Sequence, residues 1–300
     1  MDIHDLEYEE IEPVEGLGQQ KVVDLLSNSR RPVILRGLNE DFEFLENWTL
    51  EFFGSLDTEV PVQKPESDGV NYFFRYFPIS FSDFVSRIKK GENLYIGARE
   101  FLTKNGEASN QDGLAGLASS FRMPPWVDPA RIWSANLWIG AGNNRTLLHY
   151  DPWNSIQILR EGKKTFYILP ETASPQMHQY HPLNFKALYL GKVLHSKVKP
   201  IGIQPQYAKE LQGLKGFKAE IGPGDVIMIP AGFWHYVESE GRNIGINFFV
   251  HAADKSIHRK EPLRTYWIKD NITLWPIRLF MKTKYHAMRT IRQFLPKKAA

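Results

Sequence analysis

The sequence predicts a mainly β domain, a sandwich or barrel of short strands with helices on its flanks. The first observation is a series of short β-rich runs at 132–139, 147–150, 155–159, 164–169, 217–221, 225–229, 235–237 and 243–250. The second is what separates them: turn residues at 140–144, Glu161-Gly162, Pro223-Gly224 and Gly241, without the intervening helices that a parallel sheet needs. The third is size. Three hundred residues with 13% aromatics and 8 Trp can fill one large core, with an appended helical piece.

The elements before residue 131 read as an N-terminal α/β segment (1–130) packing on the core (131–252). Residues 18–28 have helical spacing through Val22, Leu25 and Leu26, and 31–38 read as a buried strand ending at Gly37. Residues 81–88 form a second helix, with Ser80 as N-cap, Asp83 at capping-box spacing, and Phe84, Val85 and Ile88 inward. Leu94-Tyr95-Ile96 reads as a strand, and 103–130, polar and rich in Gly and Pro, as mainly loop. Within the core, 171–215 is a long insertion with little periodicity. Beyond Pro262 the pattern turns helical, with an apolar stripe of Ile277, Met281, Tyr285, Met288, Ile291 and Leu295 in a basic C-terminal segment (253–300).

Composition narrows the chemistry. Without a cysteine, disulfides and thiolate metal sites are excluded. The apolar runs, such as Val226-Ile-Met-Ile229, are far too short for a membrane span. The first sixteen residues carry seven acids and no Lys or Arg, unlike a signal or transit peptide, so a cytoplasmic protein is expected. After Asp270 there is no acid, and Arg278, Lys282, Lys284, Arg289, Arg292, Lys297 and Lys298 make a basic tail. Such a tail suits nucleic acid, an anionic membrane or an acidic partner; a solvated basic helix face reads equally well.

His149-Tyr150-Asp151 is the densest chemical signal. On a strand, residues two apart share a face, so His149 and Asp151 can offer a nitrogen and an oxygen to one ion. Alone the pair is weak, since His-x-Asp arises by chance on surfaces. The run Gly224-Asp225 through Pro230-Ala-Gly-Phe-Trp-His235 supplies a second histidine, which by itself is either a core imidazole or a ligand in a sheltered cavity. Together, two His and one carboxylate make a facial triad with three adjacent open positions, which suits Fe(II) and dioxygen. Zinc with one open position is the other occupant these residues allow. Lys164, at the start of an apolar strand after Glu161-Gly162, can pair with the far carboxylate of a dicarboxylate cosubstrate. Lys163 reads as a solvated turn lysine.

The segment from Ser134-Ala-Asn136 through Thr146-Leu-Leu-His149-Tyr-Asp151 resembles the central strands of the JmjC/cupin-like Fe(II)- and 2-oxoglutarate-dependent oxygenases. It is especially similar to the asparaginyl hydroxylase that inhibits the hypoxia-inducible factor, and also to the tRNA wybutosine hydroxylase. Residues 31–38, 224–237 and 243–249 fit the same pattern, so the resemblance spans about 30–250. It implies a double-stranded β-helix (cupin/jelly-roll) with a C-terminal helical extension. It carries over His149, Asp151 and His235 as iron ligands and catalytic residues, and Lys164, Thr146, Tyr95 and Asn247 as cosubstrate-binding residues. Asn247 also reads as a barrel-interior Asn bonded to backbone. The pattern departs at Gly97, where the asparaginyl hydroxylase has a substrate-orienting glutamine, and at Ser155, where an Asn is common. Both bear on substrate choice rather than on iron or 2-oxoglutarate.

The resemblance implies hydroxylation coupled to decarboxylation of 2-oxoglutarate to succinate. A protein or peptide side chain is the expected substrate; the alternatives are a small-molecule or peptide natural product, and tRNA. Outside that class stand a zinc cupin isomerase or hydrolase, and a catalytically silent cupin-like binding protein. Since that hydroxylase dimerises through C-terminal helices, the resemblance also implies a homodimer.

Overall fold

The computed structural model of the chain describes residues 1–38, 46–65, 76–109, 114–181, 184, 187 and 192–268. The apolar stripe 277–295 and the basic tail lie outside the described residues.

In chain order the regular elements are β1 (Glu7–Glu10), α1 (Gln19–Asn28), β2 (Val33–Leu35), α2 (Leu50–Gly54), β3 (Glu59–Gln63), β4 (Tyr76–Ser80), α3 (Phe81–Lys89) and β5 (Tyr95–Leu102). There follow α4 (Ala115–Ser119), β6 (Ile132–Gly140), β7 (His149–Tyr150), β8 (Asn154–Leu169), α5 (Pro205–Leu211), β9 (Lys215–Ile221), β10 (Val226–Ile229), β11 (Trp234–Val250) and α6 (Leu263–Ile268). The caps obey local chemistry. Ser80 Oγ accepts from the Asp83 N–H at the start of α3, which buries Phe84, Val85 and Ile88.

Two long strands organise the fold. β8 and β11 pair antiparallel almost throughout, from His235↔Ile168 to Val250↔Asn154. Each changes its other partner midway. The first half of β8 pairs with β10 and the second half with β9; β11 pairs with β7 at its start and with β6 from Asn243 onward. The result is two leaves sharing the same two strands, a cupin/jelly-roll fold. One leaf runs β1-β9-β8-β11-β7; the other adds β2 beside β10 and continues β6-β5-β3-β4. Phe166, Ile168, Ile221 and Val237 of the first leaf meet Ile34, Leu159, Ile227 and Ile229 of the second in an inner core. Outside the second leaf, α1, α2 and α3 bury Val22, Leu26, Phe53, Phe81 and Phe84 against Leu137, Ile139, Ile246 and Phe248. Outside the first, segment 171–215 covers Tyr150, Trp234 and Tyr236 with Ala173, Met177, Val198 and Leu211.

The strand continuity differs from the sequence reading, which places turns at Glu161-Gly162 and Gly241. Both sites bend without ending their strands, and the register between β8 and β11 shifts across 240–245. Gly162 makes the bend possible: its φ is +92°, and a Cβ there would collide with the Arg242 carbonyl oxygen and lie 2.8 Å from Asn243 Cβ. Left-handed strain plus this overlap against backbone should make Gly162→Ala cost about 2–4 kcal/mol. A drop in the urea midpoint at unchanged slope checks this.

The acidic N-terminus is tied down by ion pairs and backbone bonds. β1 runs parallel to β9, with Glu7 on Lys215 and Glu10 on Lys218, while Glu9 meets Arg31. Just before it, Ile3 N–H donates to Pro200 O, Ile203 N–H to Met1 O, and Gly202 N–H to Asp2 Oδ1 at 2.6 Å. Among the described residues no helix is long and apolar enough to cross a membrane.

Candidate metal and cosubstrate cleft

A cleft of about 240 Å³ opens between the two leaves. All seven residues singled out from the sequence line it: His149, Asp151, His235, Lys164, Thr146, Tyr95 and Asn247.

The strand alternation that the sequence suggested sets the ligand face. β7 and β11 pair Tyr150 with Trp234 and His149 with His235. Tyr150 and Trp234 turn outward and meet edge to face at 4.9 Å, and the two histidines turn into the cleft with ring centroids 4.2 Å apart. Asp151 follows β7, its carbonyl bonded by the Gly232 N–H at 2.9 Å, and its Oδ2 lies 3.6 Å from His235 Nε2. One ligand atom from each of His149, Asp151 and His235 lies within 4.8 Å of the other two, so the three can share an ion.

The tautomers suit a cation. His149 Nδ1 lies 2.6 Å from Leu147 O and His235 Nδ1 3.0 Å from Phe233 O. A carbonyl only accepts, so each Nδ1 carries the proton and each Nε2 keeps its lone pair for the cleft. Burial, then the neighbouring His149, holds His235 well below the ordinary histidine range, in the neutral form a metal binds. Burial raises the Asp151 pKa, with His149 opposing. A desolvated carboxylate beside two imidazoles is a donor set that can hold a divalent cation.

The same cleft holds a lysine. Lys164 is buried, and desolvation pushes its ammonium down to about 8. Among the described residues no carboxylate forms an ion pair with it, and the ammonium lies 5.9 Å from the centre of the Trp138 ring. Lys163 points the other way and pairs with Glu220 at 2.9 Å, as a solvated lysine would. Because the folded pKa of Lys164 is depressed, its buried charge opposes folding below about pH 8. This cost is relieved as pH rises from about 8 towards the ordinary 10.5.

Further hydrogen-bonding groups line the same cleft. Tyr95 is buried, which raises its pKa and keeps the phenol protonated. Thr146 Oγ1 accepts from the Val237 N–H at 2.9 Å, leaving the hydroxyl proton for the cleft. Asn247 Oδ1 accepts from Trp138 Nε1 at 2.7 Å, and its amide lies 3.5 Å from Ser155 Oγ. The partner of Asn247 is thus a side chain and not the backbone. Asn154, beside Ser155, instead bonds the Ala231 N–H and ties the turn before His235 to the strand after Asp151.

Sequence reasoning missed Trp138, Gln157 and His195, which also line the cleft. Trp138 sits two residues after Asn136 in a strand already recognised, so its inward face was readable. His195 lies in the aperiodic 171–215 segment and carries no local signal. Gly97 is explained by contact: a Cβ there would lie 2.7 Å from Tyr95 Cε1, so a larger side chain would displace that ring. A second cleft of similar size lies behind the Pro230–Phe233 turn, between the end of α1 and residues 252–263, and holds none of the seven.

A jelly roll with two histidines and a carboxylate gathered between its leaves is the architecture of a cupin. The profile of the Cupin-like domain matches residues 20–256, and the chain belongs to this JmjC-type cupin family. Its relatives include the Lysine-specific demethylase JMJ31 of Arabidopsis thaliana, 26% identical over 278 residues, covering 79% of this chain and 49% of that protein. The tRNA wybutosine-synthesizing protein 5 of Danio rerio is 23% identical, over 78% of this chain and 73% of its own. The Bifunctional arginine demethylase and lysyl-hydroxylase psr-1 of Caenorhabditis briggsae is 22% identical, over 79% and 62%. The chain thus spans about half the length of the plant demethylase and under two thirds of the nematode protein.

Proposed function

We propose that the protein is an Fe(II)- and 2-oxoglutarate-dependent oxygenase that hydroxylates a protein or peptide side chain. One observation carries the reading: the His149, Asp151, His235 cluster shares a cleft with a buried ammonium that no carboxylate pairs with among the described residues. His149 and His235 would bind iron through Nε2 and Asp151 through a carboxylate oxygen. Iron with 2-oxoglutarate and O₂ supplies the oxidising chemistry, and the protein supplies geometry and dryness. Lys164 would receive the distal carboxylate of 2-oxoglutarate in a charge-assisted pair, with Tyr95 and Thr146 donating to the same oxygens. Asn247, held by Trp138, would line the cosubstrate's flank. A zinc hydrolase or a silent binding protein has no use for that ammonium.

The polypeptide substrate rests on likeness to the demethylase and lysyl-hydroxylase relatives. The wybutosine relatives, together with the basic residues after Asp270, favour tRNA as a second reading. Succinate release with Fe(II) and 2-oxoglutarate, measured with histone-like peptides and with bulk tRNA, tests both. No substrate-stimulated succinate with either, and no uncoupled release, would sink the oxygenase reading. The homodimer belongs to the same proposal, and sedimentation of the full chain at tens of micromolar tests it.

A pH dependence follows. The free cleft loses its positive charge as pH rises through about 8. Anaerobic calorimetry should show 2-oxoglutarate affinity weakening above that pH, and Lys164→Arg, which stays charged, should flatten the profile.

A further inference from the structure

Segment 192–197 lies antiparallel to β7, on the edge that β11 leaves open. A bridge pairs His195 with His149, and the Ser196 N–H donates to Leu148 O at 2.9 Å. The segment is pinned from behind. Gln179 Nε2 donates to Val193 O at 2.9 Å and to Tyr150 Oη at 2.8 Å, and Ser196 Oγ donates to Met177 O. On the other edge of β7, His149 pairs with His235. Directly paired residues of a sheet project to one face, so His235, His149 and His195 form a row across three adjacent segments, all lining the cleft.

The two neighbours of His149 meet it differently. His235 is tilted by 53° at 4.2 Å, whereas the buried His195 ring is nearly parallel, at 23° and 5.5 Å, an offset stack. His195 is not one of the three residues whose ligand atoms cluster within 4.8 Å. The His149 ring is otherwise held by its Nδ1–H bond to Leu147 O, and one hydrogen bond lets a ring rock about the bonded edge. A flat neighbour against its face removes that freedom.

We infer that His195 is a positioning residue: its stacked ring fixes the plane of the His149 imidazole, and with it the direction of Nε2 towards a divalent cation. The inference rests on His149 being a metal ligand. The role calls for a flat ring and not for a nitrogen, so His195→Phe keeps it and His195→Ala removes it.

The test titrates Co(II) into the full-length wild type, His195→Ala, His195→Phe and His149→Ala, reading affinity and the visible absorption of bound Co(II). Melting curves of the metal-free proteins run alongside. We expect His195→Ala to bind Co(II) roughly tenfold more weakly with an altered visible band, and His195→Phe to match the wild type. A merely structural His195 would lower the metal-free melting temperature and leave the affinity and band of the folded protein unchanged, which overturns the inference. A phenylalanine variant as weak as the alanine variant also overturns it, because a nitrogen would then be required. Should the alanine variant not fold, His195→Leu fills the buried space without a flat face and is read the same way. A wild type that binds no Co(II) removes the metal reading and this inference with it. If His149→Ala alone abolishes binding, the metal reading stands and only the inference falls.

Discussion

Alanine in place of His149, Asp151 or His235 will abolish turnover. Each supplies one of the three ligand atoms that cluster within 4.8 Å, and loss of any one leaves a two-point attachment that no longer defines a face of the coordination sphere. His235→Ala should act most severely on the fold as well, since the ring is buried and its Nδ1–H holds the Phe233 carbonyl. Asp151→Asn isolates the electrostatic part, keeping the size while removing the charge. The check is an anaerobic Fe(II) titration beside the activity assay. Unaltered stoichiometric Fe(II) binding in the triple variant would mean that the ion, if any, sits elsewhere.

Lys164→Ala should raise the apparent KM for 2-oxoglutarate about ten- to a hundredfold. That is the effect of removing a charge-assisted contact of about 1.5–3 kcal/mol. Two controls make the number interpretable. Lys163→Ala should stay near wild type, because Lys163 faces away and pairs with Glu220 in water. Tyr95→Phe should have a smaller effect than Lys164→Ala, since a neutral donor is lost instead of a charge. Lys164→Ala also removes an uncompensated buried ammonium, so it should not lower the melting temperature; if it does, Lys164 is holding the fold through contacts other than its charge.

The parts of this site legible in the sequence are those governed by local periodicity. His149 and Asp151 share a face because β-residues alternate, and the same rule sends Tyr150 and Trp234 to the opposite core. The Ser80 cap was legible for the same reason: N-capping is settled within four residues. What depends on pairing between distant segments was not. Glu161-Gly162 looks like a turn because a positive φ serves a turn and a strand bend equally; only the partner strand β11, running past it, decides. β1 has no alternating apolar pattern, since three of its four residues are glutamates held by Lys215, Lys218 and Arg31. His195 owes its place in the cleft to one bridge with β7, made by a segment that lacks any period of its own.

The anchored N-terminus reaches further than its position suggests. Met1, Asp2 and Ile3 grip Pro200, Gly202 and Ile203, five to eight residues downstream of His195 on the same loop. Residues 1–3 thus act as a clasp on the loop that carries His195. A fusion partner joined at Met1, or proteolytic trimming of the first six residues, would slacken that loop while leaving β7, β8 and β11 paired. Loosening it would free the ring that stacks on His149, so protein trimmed of these residues should bind Co(II) more weakly than the full chain. Titrating Co(II) into trimmed and untrimmed protein would expose the difference; equal affinities would show that the clasp carries nothing to the cleft.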